Sequence, residues 1–251
     1  MRRGSVQILN ACLDKVTLDE AVGRIIQAVQ ARAGGWVCTV NVSFAMMMRS
    51  DPKLQLHVDR AFLALADGQP LVWASRLLGR GLPERVAGID VVDGVCSEAA
   101  RRAIPVFLLG SSEQNIRRAA EELRAKFPGL DIRYHHGFFP AADFSAIASI
   151  VAGSGARVLL CGMGVPRQEY FIADQWGSLG VDVAIGVGGS FEVISGHLSR
   201  APLWMQKCGL EWVHRLLQEP ARLFPRYFTT GVQFGALMVA AMFALLIGRR
   251  P

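Results

Sequence analysis

Short apolar runs alternate with helical stretches along most of the chain, and this alternation restricts the fold more than any other feature. Six runs rich in β-branched or apolar residues are predicted strands, at residues 36–42, 62–67, 105–110, 131–135, 156–162 and 182–188. Several are apolar throughout, which is typical of strands buried on both faces of a parallel sheet. The pattern predicts an α/β fold with an open, mostly parallel sheet flanked by helices, in which ligands bind beyond the carboxyl ends of the strands.

One helix between these strands has clear start and stop signals. Apolar residues recur at helical spacing over residues 111–127, and either Ser111 or Ser112 can cap the first turn. Pro128 and Gly129 follow directly and end the helix. This segment therefore supports the alternation of strands and helices.

The positive charge is concentrated near the C-terminus. The chain has a net charge of +6, and residues 200–251 contain seven basic and two acidic residues. The first 199 residues carry 20 basic and 19 acidic residues, so they are almost neutral. The basic segment is expected to attract phosphates, whether of a nucleotide, a nucleic acid or a membrane surface.

The same C-terminal region contains two further predicted elements. A helix is predicted over residues 203–219, with Pro220 at its end. From Thr229 to Gly248 the chain is almost wholly apolar, with Gln233 as its only strongly polar side chain. Its 20 residues just reach the length of a membrane-spanning helix, so membrane insertion or a shallow anchor is favoured over a buried core helix. Arg249 and Arg250 would then lie among the lipid headgroups.

Cysteine spacing and the N-terminal residues indicate the compartment. The five cysteines lie far apart, without a C-x-x-C pair or a histidine at metal-ligand spacing, so neither a disulfide framework nor a zinc site is expected. The segment after Arg2 and Arg3 has polar residues throughout and lacks the apolar core of a signal peptide. A location in the reducing cytoplasm is therefore expected.

Polar side chains follow three of the predicted strands. They are Thr39 and Asn41, Asp67, and Gln168. Because the carboxyl ends of parallel strands share one edge of a sheet, a ligand site is expected where these residues meet. Taken alone, each has a common structural explanation, since Asp-Gly is frequent in turns and Thr-x-Asn is frequent at helix caps.

Read in order, seven sequence blocks resemble the WecG/TagA/CpsF glycosyltransferases from about residue 5 to residue 227. The blocks are TVN (39–41), LALADGQPLVWASRLLG (63–79), ERVAGID (84–90), VFLLG (106–110), GMGVPRQE (162–169), GVGGSFEVISG (186–196) and RAPLWMQKCGLEWVHRLLQEPARLFPRY (200–227). The resemblance implies inverting transfer of a sugar from a UDP-sugar to a polyprenyl-pyrophosphate-linked sugar at the cytoplasmic face of the cell membrane. It also implies a Rossmann-like sheet with a helical, membrane-associating C-terminal appendage.

The resemblance suggests a division into three parts. Residues 1–199 would form the Rossmann-like catalytic domain, 200–228 a basic appendage that completes the active site, and 229–251 an apolar membrane anchor.

The resemblance also implies roles for individual residues. Asp67 would be the general base that takes the proton of the attacking acceptor hydroxyl. Thr39 and Asn41 would line the pocket, and Gln168 would contact the donor sugar. Arg85 would bind a phosphate, to which its planar guanidinium is suited.

The remaining candidates lie in the glycine-rich block and the appendage. Gly188 and Gly189 would let the backbone approach a nucleotide, whereas Glu192 stands where the family frequently has aspartate. No Asp-x-Asp motif occurs in the sequence, so neither a metal nor another cofactor is expected. The charge of the leaving UDP would instead be balanced by arginines, namely Arg85, Arg215, Arg222 and Arg226.

Two other functions are alternatives to sugar transfer. A non-enzymatic adaptor could use the basic tail to bind a membrane, and a nucleotide-binding oxidoreductase is disfavoured because neither glycine-rich block completes G-x-G-x-x-G. A nucleic-acid partner is disfavoured, since the basic tail is interleaved with bilayer-length apolar sequence. The donor sugar stays open among N-acetylmannosamine, its uronic acid and glucose, and the oligomeric state stays open with a homo-oligomer included.

Overall fold

A short antiparallel hairpin comes first in this computed structural model, which describes residues 4–246. Its strands are β1 (Ser5–Ile8) and β2 (Ala11–Asp14). This hairpin lacks a clear sequence signal, because its four-residue strands are joined at Leu9 and Asn10 without a glycine. The buried carboxylate of Asp14 accepts a hydrogen bond of 2.8 Å from the backbone N–H of Ala64, so the hairpin is tied to the edge strand of the main sheet.

Six parallel strands form the main sheet. They are β3 (Trp36–Val40), β4 (Leu63–Ala66), β5 (Val106–Gly110), β6 (Ile132–His135), β7 (Val158–Gly162) and β8 (Val183–Gly186). Their order across the sheet is β4-β3-β8-β7-β5-β6, and every neighbouring pair is parallel. All six predicted strands and the α/β fold class are thus confirmed.

Helices cover both faces of this sheet. In chain order they are α1 (Leu18–Ala31), α2 (Val42–Ser50), α3 (Pro52–Asp59), α4 (Gln69–Leu77), α5 (Gly88–Arg101), α6 (Glu113–Lys126), α7 (Phe144–Gly153), α8 (Arg167–Gln175), α9 (Ser190–Ile194), α10 (Leu203–Lys207), α11 (Glu211–Gln218) and α12 (Pro220–Leu246). One face of the sheet packs against α1, α5, α6 and α9, and the other face packs against α2, α3, α4, α7 and α8. Since both faces are covered, the strands are apolar at almost every position.

The helix predicted over residues 111–127 is confirmed as α6. Ser112 is its cap, and its side chain accepts a hydrogen bond of 3.2 Å from the backbone N–H of Asn115. The apolar positions that recur at helical spacing are buried against the sheet.

The single helix predicted over residues 203–219 is wrong, because the structure has two helices there. α10 and α11 are separated at Gly209, which has a φ of +72°. A Cβ atom on Gly209 would lie only 2.3 Å from Cγ of Gln69, so the chain turns where it crosses the start of α4. The predicted end before Pro220 is confirmed, and Pro220 then begins α12.

The apolar C-terminal element is longer than predicted, since α12 begins at Pro220 rather than at Thr229 and contains Pro225 within it. It is long and apolar enough to cross a membrane, judged by length and composition. However, Phe234, Met238 and Ala241 form one buried stripe in the core beside α2. Residues 247–251, including Arg249 and Arg250, lie outside the described part of the chain, as do Arg2 and Arg3.

The opposite face of α12 is apolar and exposed. Its large side chains there are Phe228, Val232, Val239 and Phe243. The helix is therefore apolar on both sides, but only one side is covered by protein.

Candidate active site

Asp67 lies directly after β4, at the carboxyl edge of the sheet. Its backbone N–H donates to the carbonyl of Val40, and its carboxylate accepts a hydrogen bond from the backbone N–H of Gly88. Burial of the carboxyl raises the pKa of Asp67 to about 6, although Arg85 and Arg215 act to lower it. A carboxylate with this pKa is mostly ionised at neutral pH and is a stronger base than an ordinary aspartate.

Two arginines from different parts of the chain face Asp67. Arg85 comes from the loop between α4 and α5, and its side chain is 15% exposed. Burial acts to lower the pKa of Arg85, but the negative charges of Asp67 and Glu211 outweigh it and raise the pKa. Arg215 comes from α11, and its guanidinium lies 3.4 Å from the carbonyl oxygen of Gly189. The structure therefore brings the predicted base together with two of the predicted cations.

Thr39 and Asn41 lie at the end of the neighbouring strand, and both make structural hydrogen bonds. The hydroxyl of Thr39 donates to the carbonyl of Gly186 at 2.7 Å, which joins β3 to β8. Asn41 is the cap of α2, and its Oδ1 accepts from the N–H of Phe44 at 3.0 Å. A Cβ atom on Gly68 would lie 3.3 Å from Cα of Asn41, so the ends of β3 and β4 are in close contact. Both residues are thus next to Asp67, as predicted.

Gln168 is completely buried behind this edge. Its Oε1 accepts hydrogen bonds from the backbone N–H groups of Gly164 and Gly188, at 3.2 and 3.1 Å. Its Nε2 donates to Oε1 of Glu169 at 2.7 Å. Gln168 therefore holds two glycine-containing loops together from inside the protein, and its direct contact with a donor sugar stays a prediction.

Glu169 is a buried acid that the sequence analysis did not select. Its side chain is 1% exposed, and its Oε2 has no hydrogen-bond partner among the described residues. Burial raises the pKa of Glu169 to about 8, although the hydrogen bond from Gln168 acts to lower it. Glu169 therefore keeps a proton at neutral pH.

The glycine-rich loop after β8 makes room for Arg215. Gly188 has a φ of +54°, and a Cβ atom on Gly189 would lie 2.7 Å from a terminal nitrogen of Arg215. The carboxylate of Glu192 lies beside the same position, and its Oε2 is buried without a partner among the described residues. These glycines thus admit an arginine side chain, and their approach to a nucleotide stays a prediction.

The other two predicted arginines are placed differently. Arg222 is 61% exposed and pairs with Glu219 at 2.5 Å. Arg226 lies on α12 with its guanidinium over the ring of Tyr227, and its Nε is buried without a partner among the described residues. One turn further along, Thr230 and Ser43 form a hydrogen bond of 3.0 Å, which places this part of α12 beside the start of α2. Arg226 is therefore near the end of β3, whereas Arg222 faces solvent.

Glu211 and Arg200 are two further charged residues that the sequence analysis did not select. Glu211 pairs with Arg85 at 2.5 Å and lies 3.8 Å from Arg200, which in turn pairs with Asp90 at 2.6 Å. The pairs of Arg85 with Glu211 and of Arg200 with Asp90 join residues more than 100 positions apart, so no local pattern predicts them. The one available signal was the i, i+4 spacing of Glu211 and Arg215, which places both on one face of a helix.

A groove of about 580 Å³ lies between α1 and α5, away from Asp67. Its lining includes the acidic residues Asp19, Asp90, Asp93 and Glu98. This lining is unsuited to a diphosphate, so the cleft around Asp67 is the better candidate for a nucleotide site.

Comparison with known proteins identifies the family of this chain. A model of the glycosyl transferase WecG/TagA/CpsF family matches residues 6–246. The chain belongs to this family. The N-acetylglucosaminyldiphosphoundecaprenol N-acetyl-beta-D-mannosaminyltransferase of Bacillus spizizenii is 32% identical over 202 residues, which cover 78% of each chain.

Membership of the WecG/TagA/CpsF family confirms the assignment that the seven sequence blocks indicated. The protein is a glycosyltransferase, and neither the adaptor nor the oxidoreductase alternative is supported. Within residues 4–246, no three His, Cys, Asp or Glu side chains lie together as ligands for a metal ion.

Proposed function

We propose that the protein transfers N-acetylmannosamine from a UDP donor to the sugar of an undecaprenyl-diphosphate-linked acceptor, with inversion at the anomeric carbon. The relative from Bacillus spizizenii, by its name, transfers an N-acetylmannosaminyl group to N-acetylglucosaminyldiphosphoundecaprenol. The observation that carries the proposal is the position of Asp67, a carboxylate with a pKa of about 6 that faces Arg85 and Arg215 at the carboxyl edge of the sheet. One cleft therefore holds a base and two cations.

The proposed reaction has one displacement step. Asp67 takes the proton of an acceptor hydroxyl as its oxygen forms a bond to the anomeric carbon of the donor. The bond between that carbon and the diphosphate oxygen breaks, and the bonding pair leaves with UDP. Arg85 and Arg215 balance the negative charge that develops on the leaving diphosphate. Arg226, beside the end of β3, is a third candidate for this role.

We also propose that α12 attaches the protein to the cytoplasmic surface of the membrane, where a polyprenyl-linked acceptor resides. One stripe of α12 packs on α2, and its other face exposes Phe228, Val232, Val239 and Phe243. A helix held along its side by the rest of the protein is suited to lie in the headgroup region with its outer face in the acyl boundary. This arrangement favours the shallow anchor among the predicted membrane modes.

The proposal is tested with purified protein, a short-chain polyprenyl-diphosphoryl N-acetylglucosamine and three donors. These are the UDP derivatives of N-acetylmannosamine, its uronic acid and glucose, and product is measured by mass spectrometry. We expect a disaccharide lipid from UDP-N-acetylmannosamine in clear excess over the other two. Transfer from one of the other donors alone would refute the assigned sugar, and no transfer from any would refute the assigned reaction.

A further inference from the structure

Glu211 occupies the position in the cleft where an anionic ligand of Arg85 would bind. Its carboxylate oxygens are directed to two arginines, with Oε2 at 2.5 Å from Arg85 and Oε1 at 3.8 Å from Arg200. The side chain is 14% exposed, so this pair is shielded from water and differs from the solvated pairs on the surface.

A carboxylate and a phosphate compete for the same guanidinium N–H groups. Both present two oxygens to the planar fork of an arginine, and both form charge-assisted hydrogen bonds with it. Glu211 occupies one terminal nitrogen of Arg85 and places a negative charge beside the whole guanidinium, so it opposes the approach of a diphosphate to that arginine. On this basis we propose that Glu211 is a built-in counterion of Arg85 that the diphosphate of the donor must displace.

The balance of charge around Arg85 favours displacement of Glu211 when a diphosphate binds. The three cations Arg85, Arg200 and Arg215 are matched by three carboxylates, those of Asp67, Glu211 and Asp90. Glu192 adds a carboxylate beside Arg215 at Gly189. A bound diphosphate adds negative charge to a cleft without excess cations, so moving Glu211 away relieves the repulsion.

The helix that carries Glu211 is suited to such a movement. α11 has no fully buried residue, and Gly209 separates it from α10 with a φ of +72°. A short helix without a fully buried residue loses no complete core side chain when it moves, so its movement costs less free energy than that of a core helix. Glu211 and Arg215 lie on one face of this helix, so the same shift would change the position of both.

Glu211 also acts on the proposed base. Its negative charge raises the pKa of Asp67, whereas Arg85, Arg215 and the N–H of Gly88 lower it. Without the charge of Glu211, the pKa of Asp67 should be lower, and Arg85 would be free to lower it further. Glu211 is thus a positioning residue that couples nucleotide affinity to the proton affinity of Asp67.

The test compares Glu211→Gln with the wild-type protein and with Glu98→Gln as a matched control. Glu98 pairs with Arg101 and Arg102 on the exposed surface of α5. UDP binding is measured by calorimetry at pH 7.5, and the pH dependence of kcat/KM is measured with the active donor. We expect Glu211→Gln to bind UDP roughly three- to tenfold more tightly, the strength expected for removing one partly buried competing ion pair. The acid limb of its pH profile should shift to lower pH, and Glu98→Gln should match the wild type in both measurements.

A purely structural role for Glu211 predicts the opposite sign. If its pair with Arg85 only fastens α11 to the cleft, Glu211→Gln should bind UDP as weakly as the wild type or more weakly, and that result would overturn the proposal. Glu211→Asp is the second variant, because it keeps the charge but retracts it by one methylene and should also bind UDP more tightly than the wild type. If Glu211→Gln does not fold, the test uses Glu211→Asp only. UDP binding by Glu211→Asp that is unchanged or weaker than in the wild type would then refute the proposed role of Glu211.

The inference rests on the proposed nucleotide donor, and the two can fail separately. A wild-type protein that does not bind UDP contradicts the proposed function. A wild-type protein that binds UDP, with Glu211 variants that bind it no better, contradicts only the role of Glu211.

Discussion

The immediate surroundings of the Asp67 carboxyl determine its proton affinity. Burial of the carboxyl raises its pKa to about 6, and two arginines keep the pKa from rising further. Such a group is available as a base at neutral pH and becomes protonated in mildly acidic solution.

The first prediction concerns the substitution Asp67→Asn. The amide keeps the size of the side chain but cannot accept a proton, so kcat should fall by about 10²–10⁴-fold while UDP affinity stays close to that of the wild type. In the wild type, kcat/KM should fall as the pH is lowered through about 6, because the base becomes protonated. Steady-state kinetics from pH 5 to 8 measure both effects, and an Asp67→Asn protein with wild-type turnover would exclude this residue as the base.

Glu169 provides a prediction about stability. Its pKa is about 8 in the folded protein and near the ordinary value of 4.5 in the unfolded chain. The folded state therefore binds more protons at Glu169 between these two pH values. The contribution of Glu169 to the free energy of unfolding decreases as the pH rises from about 4.5 to about 8. Glu169→Gln removes this dependence, so the variant should gain stability relative to the wild type between pH 6 and pH 8.5, by on the order of a few kcal/mol.

Urea unfolding at the two pH values measures this difference. The control is Glu98→Gln, since the hydrogen bond from Arg102 lowers the pKa of Glu98 and leaves it ionised over this range. The control should differ from the wild type by the same amount at both pH values. If the free energy of unfolding of Glu169→Gln and of the wild type changed equally with pH, Glu169 would be ionised in the folded protein.

Among the elements, α12 combines two apolar faces with different surroundings. Phe234, Met238 and Ala241 recur at spacings of four and three residues and fill the core beside α2. The exposed face repeats with the same helical period on the other side. Removing the whole helix would therefore damage the core as well as the membrane surface, so substitutions on single faces separate the two effects.

The prediction for this element compares the two faces. Replacing Phe228, Val232 and Phe243 together by serine should abolish binding to anionic vesicles while the thermal unfolding temperature stays close to that of the wild type. Phe234→Ala should instead cost about 3–5 kcal/mol of unfolding free energy, as truncations of a buried phenylalanine do. Vesicle sedimentation and denaturant unfolding measure these quantities. Wild-type sedimentation of the triple variant would place membrane attachment elsewhere.

For the whole molecule, the distribution of charge determines how a diphosphate can be bound. Residues 200–251 supply most of the net positive charge, and the sequence lacks Asp-x-Asp. Arginines from the sheet region and from α11 meet at Asp67 because the C-terminal helices fold back over the carboxyl edge.

The last prediction is that transfer does not require a divalent metal. Activity should be unchanged after dialysis against EDTA, because Arg85 and Arg215 supply the positive charge that a metal would otherwise supply. The measurement is the initial rate with and without added Mg²⁺ or Mn²⁺. Loss of activity in EDTA that is restored by either ion would contradict the proposal that Arg85 and Arg215 balance the charge of the leaving diphosphate.

Local sequence was sufficient to predict the strands of the main sheet and the position of Asp67. Strands buried on both faces have to be apolar, and the residue that follows such a strand has to lie at its carboxyl edge. The helical period and Ser112 likewise determined α6, because capping and amphipathicity involve only neighbouring residues. The family could also be recognised from the order of short blocks alone.

Tertiary structure decided the features that depend on distant residues. The pairing of Glu211 with Arg85, the raised pKa of Glu169 and the break at Gly209 arise where separate segments meet, and charge pairing, burial and steric contact have no sequence period. The buried stripe of α12 was also undecided by sequence, because an apolar side chain can be covered equally well by lipid or by protein. Only the position of α2 determines which face of α12 is covered by the protein and which is left exposed.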